Sequence, residues 1–174
     1  VYKRQTVQGV NTRMNDFLGP ISPGDYPPDI VTEEQMSDLQ YDEASGDITL
    51  DNGSRVITSA DDLDFSYTDY VSRVTSRNYD LQPIPTGPAA FDRRNMPVYI
   101  ADCSGSNTGA TELPILGFAC FFLLQKAVQK GNAAELYGEF QDLCAGDGTS
   151  GPAPTTIPGP YRIQLYKDSD SIDS

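Results

Sequence analysis

The run Leu113-Pro114-Ile115-Leu116-Gly117-Phe118-Ala119-Cys120-Phe121-Phe122-Leu123-Leu124 constrains this chain more than any other stretch. It holds no charged or hydrogen-bonding side chain, and exposing it to water costs about 25 cal/mol per Å2 of apolar surface. A membrane-crossing helix needs about 20 such residues. The run is shorter, so Pro114–Leu124 is predicted as a strand that is apolar on both sides, central in a sheet or covered. Its backbone needs paired neighbours, and the flanking sequence offers them. Met96–Ala101 reads as a strand, Ala134–Cys144 as another, and Tyr161–Lys167 as a last one, with Tyr161, Ile163 and Leu165 alternating with Arg162, Gln164 and Tyr166.

Upstream of this β-rich half the signals are shorter. Thr6–Asp29 is punctuated by Gly19-Pro20, Ser22-Pro23-Gly24 and Pro27-Pro28, so a structured loop without regular elements is expected. Thr32 and Gln35 have the spacing of a reciprocal N-terminal cap, which suggests a short helix there. Gly46–Ile57 reads as a hairpin: Ile48 and Leu50 alternate with polar residues, and Asp51-Asn52-Gly53-Ser54 turns the chain. Asn-Gly accepts the positive φ of a tight type I′ turn. Ser59 or Asp61 can cap a helix over about Asp62–Arg77, with acids at its start and Arg73 and Arg77 at its end. Pro83, Pro85 and Pro88 mark a linker. The sum is an α+β, β-rich fold: a mostly antiparallel sheet from strands near 98, 117, 138 and 164, with one or two helices packed on it.

Composition narrows the function. The chain has 174 residues, 12 Lys and Arg against 25 Asp and Glu, and a formal net charge of −13. An acidic surface does not displace counterions from phosphates, which excludes nucleic acid as a partner, and it is repelled by anionic lipid head groups. Histidine is absent. That removes Ser-His-Asp and Cys-His nucleophiles and His-containing zinc sites. Val1-Tyr2-Lys3-Arg4-Gln5 opens without an initiator Met and matches the translation of a transposon end used in library preparation. Residues 1–5 are therefore set apart from one domain spanning 6–167, and the acidic, Ser-rich 168–174 is expected to be a disordered tail.

Several segments, in order, carry a family resemblance. Arg93-Arg94-Asn95-Met96-Pro97-Val98-Tyr99-Ile100-Ala101-Asp102-Cys103 resembles the RR-x-x-P-V-hydrophobic-x-DC segment of TadG-like Tad (Flp) pilus-assembly proteins. Leu113–Leu123 is similar to their L-P-hydrophobic-L-G-F-A-x-F-F-L run, Tyr137–Phe140 to a Y-G-E-F strand, and Gln164-Leu165-Tyr166-Lys167 to a Q-L-Y-R ending. Gly9–Met14 looks like G-x-N-T-R-F, with Tyr26-Pro27-Pro28-Asp29 after it. The resemblance implies a non-enzymatic component of the pilus machine, supporting surface adhesion and biofilm formation. Its partners would be other Tad assembly proteins. It would sit in the periplasm or at the cell surface, held in the inner membrane by an N-terminal helix that this sequence does not include.

In an oxidising compartment, two of the three cysteines are expected to pair. Cys103 and Cys144 end predicted strands and are the favoured bridge, with Cys120 a small buried hydrophobe; three free thiols are the alternative. No cofactor is expected. The alternative is Asp102-Cys103-Ser104-Gly105-Ser106, which spells the D-x-S-x-S of a von Willebrand A-type adhesion site. Asp102, Ser104 and Ser106 would then hold Mg2+, or Ca2+, through oxygen ligands. Against it, a strand and not a helix follows the motif, and Asp, Ser and Gly are ordinary turn residues.

Overall fold

The structure is a computed structural model that describes residues 2–79, 85, 87–102, 114–130, 133–141 and 160–166, with backbone alone at 2–4, 133 and 160–166. In chain order its elements are α1 (Tyr2–Asn11), β1 (Gln40–Tyr41), β2 (Ile48–Leu50), β3 (Arg55–Ile57), α2 (Tyr67–Ser76), β4 (Asn95–Ala101), β5 (Ile115–Leu123), β6 (Val128–Lys130), β7 (Ala133–Gln141) and β8 (Pro160–Tyr166). This is the expected α+β architecture, with every strand-to-strand ladder antiparallel.

The apolar run becomes β5, and it is central. β4 pairs with it from Asn95↔Phe122 to Ala101↔Ile115, and β7 from Cys120↔Gln141 to Leu123↔Gly138. β6 meets β7 further along, and β8 also pairs with β7. β1, β2 and β3 form a separate three-stranded sheet.

Alternation along β5 divides its side chains between two cores. Phe121 and Leu123 join Ala134, Leu136 and Met14, with Val7 and Val10 of α1 against them. Phe122 and the adjoining Leu124 join Tyr137, Val31, Leu50, Ile57, Phe65 and Tyr70. The large sheet is therefore covered by α1 on one face and by α2 and the small sheet on the other.

Three expectations need correction. Residues from Thr6 onward are helical before they become irregular: α1 runs to Asn11 and a 3-10 turn continues it to Met14. Val7, Val10 and Met14 lie one above another on a helix, and burial of that stripe against the sheet stabilises it. Asn15, in the left-handed conformation (φ 60°), ends it. No helix forms at Thr32–Gln35. Gln35 instead uses its side-chain amide on Asp64 N (2.8 Å) and the Phe65 carbonyl (2.5 Å), holding the segment extended. The helix expected from Asp62 starts later. The Ser59–Asp62 capping box closes only a 3-10 turn, and Leu63 leaves it in an extended conformation. A second capping box, Ser66 with Asp69, starts α2.

The hairpin forms where its alternation placed it, but with a wider turn. Leu50 pairs with Arg55, leaving the loop Asp51–Ser54, in which Asp51, Asn52 and Gly53 all have positive φ.

Gly138 marks a tight contact in the sheet. A Cβ there would lie 2.6 Å from two ring carbons of Phe121 and against the Phe122 carbonyl oxygen. Gly138→Ala is expected to destabilise the protein by about 1–3 kcal/mol through overpacking. Urea denaturation checks this, and an unchanged midpoint would refute the contact.

Candidate functional site

The densest polar cluster surrounds Arg94, whose side chain is fully buried. Nε donates to the Leu123 carbonyl (2.8 Å), Nη1 to Val31 and Glu33 carbonyls (3.2 and 2.8 Å), and Nη2 to the Leu124 carbonyl (3.1 Å). The guanidinium also lies over Phe122, Phe65 and Tyr70, at 4.5, 5.3 and 5.9 Å from the ring centroids. Burial lowers its pKa to about 10, and Asp29 and Glu34 pull the other way, so it stays charged at neutral pH.

Asp29 is the second centre. Its carboxylate accepts hydrogen bonds from Val31 N (2.9 Å), Arg94 N (3.0 Å) and the Tyr70 hydroxyl (3.2 Å to each oxygen). Burial pushes the Asp29 carboxyl up, and the bonds from the Val31 and Arg94 amides oppose that rise. Tyr70, buried beside Asp29, is raised as well, and its oxygen accepts from Asp92 N (3.1 Å). Glu139 of β7 accepts from Tyr67 N (2.6 Å) at the first residue of α2. Burial also raises its pKa. These groups spend their hydrogen bonds on the protein itself. The cluster clamps the fold.

Sequence reasoning missed it. Arg93-Arg94 entered only as the opening of a resembling segment, and Asp29 as the end of a loop. The bond between Asp29 and Arg94 N spans 65 positions, and no local spacing announces it.

Of the candidate site residues read from the sequence, Asp102 alone lies among the described residues. Asp102 follows β4, exposed, with its N–H donating to the Pro114 carbonyl (3.0 Å). Ser104 and Ser106 lie outside the described residues. β4 is the edge strand of an antiparallel sheet, whereas the adhesion-type motif needs the carboxyl end of a central parallel strand. Among the described residues, no group of three or more His, Cys, Asp or Glu converges to hold a metal. The acids at 61–64 serve separate tasks: Asp62 caps the 3-10 turn and Asp64 pairs with Arg55 at 2.7 Å. Asp51 also pairs with Arg55, at 3.4 Å.

Cys103 and Cys144 lie outside the described residues too. Cys120, expected to be a plain buried thiol, is disulfide-bonded. That is a correction, and with three cysteines in the chain the pairing of Cys103 with Cys144 gives way to one that includes Cys120. Peptide mapping without reduction is expected to recover Cys120 in a disulfide-linked peptide, and a free Cys120 thiol would contradict it.

No protein-family model, curated protein or solved structure matches this chain. Among the described residues, no helix is long and apolar enough to cross a membrane.

The clamp makes a direct prediction. Lysine would keep the charge of Arg94 but present it as a point, without the planar fork that reaches carbonyls on several segments. Arg94→Lys is expected to cost about 2–4 kcal/mol, since buried carbonyls lose their donors. Urea denaturation at neutral pH measures it. A loss below about 0.5 kcal/mol, the range of ordinary surface changes, would show the clamp to be dispensable.

Proposed function

We propose that this protein is a non-enzymatic docking component of a Tad (Flp) pilus-assembly machine, working in the periplasm or at the cell surface and supporting adhesion. The ordered resemblance of its segments to TadG-like proteins motivates the reading, and one feature of the fold supports it. β5 is buried at its Phe121–Leu123 end but exposes large apolar side chains at the other. Tyr99 is 68% exposed and Phe118 48%, their ring centroids 5.0 Å apart, and Ile115 and Leu116 beside them are more than half exposed. They project from the edge strand β4 and its neighbour β5.

Soluble proteins seldom leave large apolar side chains clustered in water, and such patches mark docking surfaces. Aromatic residues are the usual energetic anchors of protein interfaces. The chain's net charge of −13 favours a partner that is neutral or basic where it touches. The reading places the partner among the other Tad assembly proteins and assigns the chain no chemistry of its own.

The test is capture of co-expressed Tad assembly proteins by the native chain and by a Tyr99→Thr/Phe118→Thr variant. Loss of two aromatic anchors should weaken association more than about tenfold, with the melting temperature unchanged because both residues are exposed. If the native chain captures none of them, or the variant captures them equally well, the reading is wrong.

A further inference from the structure

A cavity of about 570 Å3 opens between α1, the turn after it and the start of β4. Val10, Ile21, Tyr26 and Met96 supply apolar walls, and Arg13 and Arg93 line it with them. Two cations side by side are unusual in a chain of net charge −13. Every other arginine or lysine that pairs does so with a carboxylate: Arg55 with Asp51 and Asp64, Arg73 with Glu33, Lys126 with Glu34 and Lys130 with Glu135. Among the described residues, no acid pairs with Arg13 or Arg93.

Their hydrogen bonding is also incomplete. Arg93 uses Nε on the Pro27 carbonyl (3.1 Å) and Arg13 uses Nη1 on the Gly9 carbonyl (3.3 Å). Arg13 Nε is buried without a partner. A buried N–H of a charged group left unpaired costs more than a neutral one, and native folds keep few of them. Burial, and then the charge of Arg93, lowers the pKa of Arg13. Repulsion between the pair is relieved by an anion between the two guanidinium groups.

We propose that this cavity binds a small organic anion. Its carboxylate or phosphate head lies between Arg13 and Arg93, and its apolar body rests on Val10, Ile21, Tyr26 and Met96. Planar guanidinium groups donate in parallel to either head, and an apolar pocket with a few convergent polar groups is the usual form of a small-molecule site.

Gly9 provides an independent handle. It lines the cavity, and a Cβ added there meets nothing within 4 Å. A larger side chain at this helical position fills the cavity without disturbing the fold.

The experiment titrates the full chain with phenylacetate, phenyl phosphate and the neutral phenylacetamide, following amide chemical shifts and melting temperature. At least one of the two anions should raise the melting temperature with concentration and shift the amides of Gly9, Val10, Arg13 and Met96. Which anion does so identifies the head group. Arg13→Gln and Arg93→Gln should each weaken binding about tenfold or more, the loss of a charge-assisted hydrogen bond. Gly9→Leu should weaken it with no fall in melting temperature, so the test survives if an arginine variant folds poorly. The proposal fails if neither anion moves these resonances, if phenylacetamide binds equally well, or if Gly9→Leu leaves affinity unchanged.

Discussion

A buried cation solvated by main-chain oxygens organises this structure. Among the described residues, no carboxylate forms an ion pair with the Arg94 guanidinium; its charge is met by carbonyls of Val31, Glu33, Leu123 and Leu124 and by three aromatic faces. Taking an ion out of water costs several kcal/mol even after relaxation. The arrangement persists because the guanidinium donors reach main-chain oxygens on two separate segments. Leu123 ends the central strand and Leu124 follows it, while Val31 and Glu33 lie in a segment without regular structure. Arg94 serves both, and so fixes an irregular strap against the end of a strand. The surrounding acids help, since Asp29, Glu34 and Glu33 all favour the charged form.

The same clamp decides which parts of the fold were legible in the sequence. The apolar run at 113–124 and the alternation near 161–166 are local statements about burial, and they gave the sheet correctly. Ile48, Leu50 and the Asn-Gly turn gave the hairpin. Thr32–Gln35 misled because its capping pattern is local, while the bonds that hold it come from Phe65, Arg73 and Arg94. Two capping boxes stand in sequence at Ser59 and Ser66. Propensity alone cannot rank them; the extended Leu63, buried in the core, settles it for the second. The first helix stayed hidden because Val7, Val10 and Met14 are few, and their stripe has meaning only once a sheet lies beneath it. Neither arginine pair nor buried acid has a periodic signature, so the polar sites were the least readable of all.

β5 carries the mechanical consequence of its own asymmetry. At Phe121 and Phe122 it is enclosed on both faces and contributes to two cores at once. Toward Ile115 the covering elements stop while the strand continues with apolar side chains. The core contacts and the exposed apolar patch thus reside on one strand. A surface on such a strand loses little conformational entropy when it is engaged.

Arg93 and Arg94 show how much one staple positions. The side chains of these neighbours leave toward opposite faces of the sheet, as those of consecutive extended residues do. Arg94 packs on Phe122 in one core, and Arg93 lines the cavity with Val10 and Met96 on the face that α1 covers. The Arg13 carbonyl accepts from Asp29 N (3.0 Å), and the Asp29 carboxylate accepts from Arg94 N. The two arginines of the cavity are therefore held from the same acid, one through its amide and the other through the residue beside it. Two like charges drift apart unless the backbone restrains them, and here the restraint is the buried clamp. The placement of the open cation pair is set by the Asp29–Arg94 clamp.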